Sequence, residues 1–352
     1  MLIRNTLSYI LNMKNMKKQI LILGFLLFST FIYSQTKVDS LVEIGIQYHD
    51  SGQFDKAIET YKKALMINPN SAIANYEIGM TYMYSKDYKN SIKHCDIVIK
   101  LNDKYLLPAY ITKASCLDNL GKTKESIKLF KKGIKKFGDN HLLYYNLALN
   151  YYKSKEYDKA EKALINAINT KPNHASSHLL LGNVMINKNQ KVQSLLCLHY
   201  FLFLEPNSER SKTAYYLLEK QISGNVKADK DNPNQINIYL DPDQLESEFG
   251  NAEMMLFMLG ASKSLEENKD KSEEELFIEN TKSFFKILGE FKKEENTGLW
   301  WDFYIPFFDN IAKSDHIDTY CYYISQSSNS KSTDWLKNNN NKLKDFGAWL
   351  KK

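Results

Sequence analysis

Two groups of residues have the types and spacing to do chemistry. His174 and His178 stand four residues apart, so on one helix they would share a side and could hold a metal ion together. Asp315, His316, Asp318 and Cys321 bring an acid, a base and a thiol into seven residues, the makings of a nucleophilic set. Neither pattern is complete. His174 falls at the start of a helix, no acid lies between the two histidines, and only the distant Cys197 or His199 could add a third ligand. A closed structural metal site wants four ligands. Adjacent residues on one helix do not face each other, so His316 and its neighbouring aspartates cannot orient one another, and Cys321 reads as core. The chain has no GxSxG, HExxH, phosphate loop or kinase signature. Cys95, Cys116, Cys197 and Cys321 form no CxxC pair and read as small buried hydrophobes. The expectation is a protein without catalysis, metal or cofactor.

What must position any site is a repeat. In Val38–Ser71, the run Leu41-Val42-Glu43-Ile44-Gly45-Ile46-Gln47-Tyr48 is followed by Ala57-Ile58-Glu59-Thr60-Tyr61-Lys62-Lys63-Ala64 and closes at Pro69. The same slots recur four times. They hold Ile78-Gly79, Tyr82 and Ser91; then Tyr110, Ala114, Leu117, Ser126 and Phe130; then Tyr144, Leu147-Ala148, Tyr151, Ala160 and Pro172. The fifth set is His178, Leu181-Gly182, Met185, Ser194, Phe201 and Pro206. The second unit is one residue longer than the others. Small residues at two slots let paired helices A and B approach closely, and proline resists continuing helix B. One hairpin cannot bury its apolar face alone, so neighbours must stack. A further helix from Ser208, a potential N-cap, to about Ile222 would cap the array with a solvated face.

This stretch resembles the tetratricopeptide repeat (TPR) family. The resemblance implies an all-α, right-handed superhelical solenoid of five helix pairs plus the capping helix. It also implies a concave groove lined by the A helices, where a protein or peptide partner would bind. The family's groove positions fall on Val42, Ile46, His49, Tyr76, Met80, Met83, Ile111, Ser115, Asp118, Asn119, Tyr145, Leu149, Tyr152, Asn183, Ile186 and Asn187. Tyrosine, methionine and asparagine there suit peptide contacts. The lysine that grips C-terminal carboxylates in one subfamily is missing. Val42, Tyr76, Ile111, Tyr145 and Leu179 occupy its slots.

The rest of the chain divides by composition. Residues 1–34 read as an export signal. Lys17 and Lys18 precede the apolar Ile20–Ile32, Ser34 offers a small residue before a cut, and Met16 is the better start. The apolar run is too short for a confident span, so no stable membrane span is expected after cleavage, and the mature chain would be periplasmic or secreted. The net charge is +6, from 47 basic and 41 acidic residues. Arg4, Lys14, Lys17 and Lys18 leave +2 for the remainder. No basic stripe for nucleic acid is evident. Residues 35–222 hold the repeats and their capping helix, and 223–242 is a linker in which Ile236–Leu240 alternates like a lone strand. Residues 243–352 form a small helical domain. In it, Ser272 and Glu275 make a capping-box pattern, Pro306 would start or kink a helix, and Trp335 to Leu350 lie on one final helix. Trp300, Trp301, Tyr304 and Phe307 form an aromatic run, either core or a possible second surface. The alternative function is a C-terminal enzyme or ligand-binding module docked by the repeats.

Overall fold

Each helix pair turns on a single left-handed residue. Gly52, Lys86, Gly121, Lys155 and Asn189 have φ of 74°, 64°, 77°, 58° and 60°. They recur every 34 residues except for one step of 35, which falls after the second turn. The repeat is thus written in the backbone as well as in the core. A side chain at positive φ is strained in lysine and free in glycine, so two of the five turns use the residue that fits best.

The computed structural model describes residues 16, 18–19, 35–223, 226–228, 236–238, 247–261 and 268–351. Most of the signal-like segment and of the linker lies outside them. Helix α1 spans 35–50. The following helices are α2 (Phe54–Ile67), α3 (Ala72–Tyr84), α4 (Tyr88–Leu101), α5 (Leu106–Asn119), α6 (Thr123–Phe137), α7 (His141–Lys153), α8 (Tyr157–Thr170), α9 (Ala175–Asn187), α10 (Lys191–Leu204) and α11 (Glu209–Ser223). Odd-numbered helices α1 to α9 are the A helices, and α2 to α10 the B helices. The C-terminal helices are α12 (Gly250–Ala261), α13 (Glu273–Phe291), α14 (Ile305–Lys313), α15 (Ile317–Ser325), α16 (Ser330–Asn338) and α17 (Asn340–Trp349). The all-α reading stands, with one small addition among the described residues. Val226–Ala228 pairs antiparallel with Ile236–Ile238, so the expected strand has a partner.

The chain forms two compact units, up to Gly138 and from Asp139 onward. The first holds three helix pairs. Ser71 caps α3 by accepting from the Ala74 amide, and Asp87 caps α4 by accepting from Asn90. The close approaches are as the small residues require. A Cβ on Gly45 would lie 2.3 Å from the Tyr61 ring, which is itself fully buried. A Cβ on Gly79 would sit 3.4 Å from the Cys95 sulfur. The facing small residues Ala57, Ser91 and Ser126 are wholly buried.

The second unit holds two helix pairs, α11 and the C-terminal helices. Asn140 caps α7, and Gly182 faces Cys197 and Leu198 at 3.3–3.4 Å. Ser208 caps α11, accepting from the Ser211 amide at 3.2 Å. The capping box of Ser272 and Glu275 on α13 is present in both directions. Three details depart from expectation. The final helix is two helices, because Asn339 leaves helical geometry between them (φ −120°, ψ 40°). Leu299–Tyr304 forms a π-helical turn that runs directly into α14, with Pro306 in the first turn of α14. And α11 is no simple solvated cap: Ala214, Tyr215 and Leu218 are buried, and α11 packs against α12 as well as α10.

Two substitutions test the repeat geometry. Gly45→Ala should destabilise the first unit by about 1–3 kcal/mol, because the buried Tyr61 ring has to move. Lys155→Gly should stabilise the second unit by about 0.5 kcal/mol, since strain relief exceeds glycine's entropic cost. Urea unfolding followed by circular dichroism reads both.

Candidate functional site

In the first unit, α3 and α5 carry the expected partner-binding residues side by side. Tyr76, Met80, Met83, Ile111 and Asp118 are half-buried, and Asn119 is exposed. Local contacts hold them in place. Tyr76 stacks on Tyr105 with ring centres 5.4 Å apart. Thr112 donates to the Met80 sulfur at 3.1 Å. Asp118 accepts from Thr123 at 2.8 Å, and Asn119 folds back onto the Ser115 carbonyl at 3.0 Å. On α1, His49 bonds Thr81 at 2.8 Å and packs edge-on to Tyr84. Val42 is not on this surface. It is 1% exposed and belongs to the core around Tyr61.

In the second unit, α7 and α9 present Tyr145, Leu149, Tyr152, Asn183 and Ile186, all half-buried, and the exposed Asn187. Asn187 is largely engaged within the chain. Its amide donates to the Asn183 carbonyl at 2.8 Å and to the Tyr152 hydroxyl at 3.3 Å, and its oxygen accepts from Tyr157 at 3.1 Å. Asn187 thus fixes two tyrosines more than it offers hydrogen bonds to a partner. Tyr145 packs edge-on against His174 at 5.1 Å.

The aromatic run is core more than surface. Trp301 and Tyr304 are 3% and 0% exposed, and Trp300 and Phe307 are half-buried. The reason is α10, which is apolar on every side: KVQSLLCLHYFLFL. A helix apolar all round must be enclosed, and all residues from Lys191 to Leu202 are buried. Rings from the C-terminal segment cover it. Tyr200 meets Phe303, Tyr304 and Phe307 at 4.9–5.7 Å. His199 meets Phe285 at 4.9 Å and Phe308 at 5.9 Å, and Phe203 meets Phe307 at 5.1 Å.

Polar groups lock this arrangement. His178 lies between Tyr304, 2.6 Å from Nδ1, and the Pro172 carbonyl, 2.7 Å from Nε2. A carbonyl only accepts, so Nε2 carries the proton and Nδ1 accepts from the Tyr304 hydroxyl. Cys197 then donates to the Tyr304 oxygen at 3.6 Å. Burial holds His178 down at about 4, and His199, wholly buried against Tyr320, at about 3. The N-terminus of α10 has no cap from its own flank. Glu253 of α12 supplies one, accepting from the Lys191 and Val192 amides at 3.0 and 3.1 Å. A carboxylate suits the positive end of a helix. Burial nonetheless outweighs those two amides and the nearby Lys191 ammonium, raising the Glu253 pKa.

The two chemical patterns of the sequence are absorbed into packing. His178 has both nitrogens engaged in the core, and His174 bonds Ser177 at 2.7 Å. Among the described residues, no three His, Cys, Asp or Glu side chains gather as metal ligands. Cys321 is buried, which pushes its thiol pKa up, and His316 packs on Phe346 and Trp349. Sequence reasoning missed a cleft of about 820 Å³ in the second unit, between α11, α12, α13, α15 and α16. Its wall includes Tyr215, Glu274, Tyr322, Asn329 and Lys331. Glu274 accepts from Asn329 at 3.0 Å and pairs with Lys331 at 3.2 Å, contacts that hold its pKa below the usual carboxylate value. These residues come from separate helices, and no spacing in the sequence joins them.

Comparison with known proteins agrees with the geometry. Residues 45–84 match a model described as TPR repeat, and residues 107–135 and 142–174 match one described as tetratricopeptide repeat. The chain carries tetratricopeptide repeats over these residues. It is 29% identical over 104 residues to the TPR repeat-containing protein MJ1428 of Methanocaldococcus jannaschii, covering 30% of this chain and 18% of that protein. The chain thus spans less than a fifth of the length of this curated relative. Among solved structures, MamA is 26% identical, covering 46% of this chain and 94% of its own at a TM-score of 0.40. YrrB, described as a TPR protein with an unusual peptide-binding site, is 15% identical, covering 54% and 96% at a TM-score of 0.40.

The buried histidines set a pH dependence. Both have folded pKa values below the ordinary value near 6.5, so the stability of their neutral forms is complete above about 6.5. It is lost as pH falls from there toward 4. The second unit should lose about 1.4 kcal/mol per histidine for each pH unit in that window. Urea unfolding at stepped pH reads it, and a His199→Gln variant should show a flatter slope. Tyr304→Phe removes the donor to His178 and should cost about 1–3 kcal/mol.

Proposed function

We propose that this protein is an exported, non-catalytic scaffold that binds a protein or peptide partner on the faces of its A helices. The repeats support an interaction role in general. The particular surface rests on one observation: Tyr76, Met80, Met83 and Ile111 stand half-exposed side by side on adjacent A helices. Large flexible or flat side chains left partly open suit an extended apolar peptide. The face on α7 and α9 is more heavily bonded within the chain, so the α3–α5 face carries the main contact. Export rests on Lys17, Lys18 and the apolar run after them, read as a signal. The mature protein would then act in the periplasm or outside the cell.

A photo-crosslinking residue placed at Met83 should capture a discrete partner in envelope extract, and Tyr76→Ala/Met80→Ala should abolish that product. An unchanged product in the variant would remove the α3–α5 face from the account. Secretion is read separately, from the N-terminal residue of the protein recovered outside the cytoplasm. Start at Gln35 supports cleavage, and cytoplasmic retention contradicts export.

The cleft in the second unit favours a second reading, a ligand-binding module in the C-terminal part. Its volume lies within the range of small-molecule sites, and it combines aromatic walls with a few charged groups. Saturation-transfer NMR against a fragment set should detect ligands whose signals disappear in Tyr322→Ala. Fragments bound equally by both proteins would dismiss this reading.

A further inference from the structure

The first unit has a second surface, made mainly by two B helices, with the end of one A helix between them. A groove of about 690 Å³ lies across α4, the C-terminal end of α5, and α6. Its floor is aliphatic: Ile92, Leu117, Leu120 and Leu129. Its rim is lysine. Lys89 and Lys93 stand four apart on α4, and Lys128 and Lys132 stand four apart on α6. All four are exposed. Like charges at that spacing repel, and here two such pairs line one slot.

The acids in and beside the groove do not neutralise them. Glu125 pairs with Lys122 at 3.4 Å, and Asp96 with Lys113 at 2.5 Å. Lys93 reaches only the neutral Asn90, at 3.0 Å. Among the described residues, Lys89, Lys93, Lys128 and Lys132 have no carboxylate at ion-pair distance. The surrounding sequence is biased the same way. From Lys86 to Lys136 there are thirteen lysines against five aspartates and glutamates, a net +8, while the whole chain carries +6. The excess positive charge of the protein is thus concentrated on this stretch.

We propose that this groove docks an acidic amphipathic helix of a partner protein. Such a helix sets leucine or isoleucine onto the aliphatic floor and glutamates toward the two lysine rows, the helix-in-groove mode of recognition. Charge complementarity selects the partner and speeds encounter, and the floor supplies apolar burial. Two other polyanions fit less well. A flat anionic membrane reaches the rim and leaves the floor uncovered. A nucleic acid single strand wants aromatic side chains to stack on, and the groove lining has none.

The test uses the full chain and a fluorescein-labelled synthetic helix with glutamate pairs flanking a leucine stripe, read by anisotropy. Binding should weaken as salt rises, because exposed charges are screened. Replacing the probe's glutamates by glutamine, or its leucines by serine, should each weaken binding about tenfold or more. Lys89→Gln/Lys93→Gln/Lys128→Gln/Lys132→Gln should do the same, while Lys337→Gln/Lys344→Gln should leave it unchanged. Circular dichroism confirms that both variants are folded. If the four-lysine variant misfolds, the pairs Lys89→Gln/Lys93→Gln and Lys128→Gln/Lys132→Gln are measured apart, and each should weaken binding several-fold. The proposal is overturned if the probe does not bind or the lysine variants bind as well as the native chain. It is also overturned if serine for leucine changes nothing, or if phosphatidylserine vesicles or a single-stranded oligonucleotide displace the probe by occupying the same lysines more tightly.

Discussion

The second unit depends on the burial of α10. The other B helices have one apolar face and one polar face, and a single neighbouring pair covers them. In α10 the polar face is missing: Leu195, Leu196, Cys197, Leu198, Tyr200, Phe201 and Leu202 point around the whole circumference and are all buried. Left at the end of an array, such a helix would expose a large apolar patch, which soluble proteins avoid. The C-terminal segment therefore does for the last repeat what a following repeat would otherwise do. It contributes rings along the side of α10 and a carboxylate at its N-terminus, while α11 packs along another flank.

That constraint divides the molecule into surfaces that are used and surfaces that are free. The rings of the run from Leu299 to Phe308 are largely consumed in covering α10, and the buried hydroxyl of Tyr304 completes a hydrogen-bonded chain from Cys197 to Pro172. A buried polar chain of this kind stabilises only when every group is satisfied, and here each nitrogen and oxygen has a partner. What remains open are the A-helix faces, the cleft around Tyr322 and the lysine-rimmed groove. Function in a scaffold resides on such unconsumed surface.

The repeats were legible in the sequence because close packing leaves few choices. Gly45, Gly79, Ala114, Ala148 and Gly182 are small where helices touch, and the turn residues from Gly52 to Asn189 keep a 34-residue interval with one step of 35. The aromatic run was harder, since core and exposed platform use the same residues, and only the all-round apolarity of Lys191–Leu204 could have decided between them. The break at Asn339 was hidden because its flanking helices continue one apolar pattern. Register placed the expected groove residues on partly exposed faces of the A helices, apart from Val42, which the terminal pair buries. Asn187 shows what register cannot reveal: whether an amide is already engaged. The lysine groove was missed because its rows come from different helices and the overall charge is modest.

Hydrogen exchange of the full chain in increasing denaturant tests the dependence on α10 most directly. If α10 is held by its C-terminal cover, its amides and those of α14 and α15 should open together, with one free energy and one dependence on denaturant. If α14 and α15 exchange freely while α10 stays protected, the last repeat stands without them, and the C-terminal helices are an appendage instead of its missing neighbour.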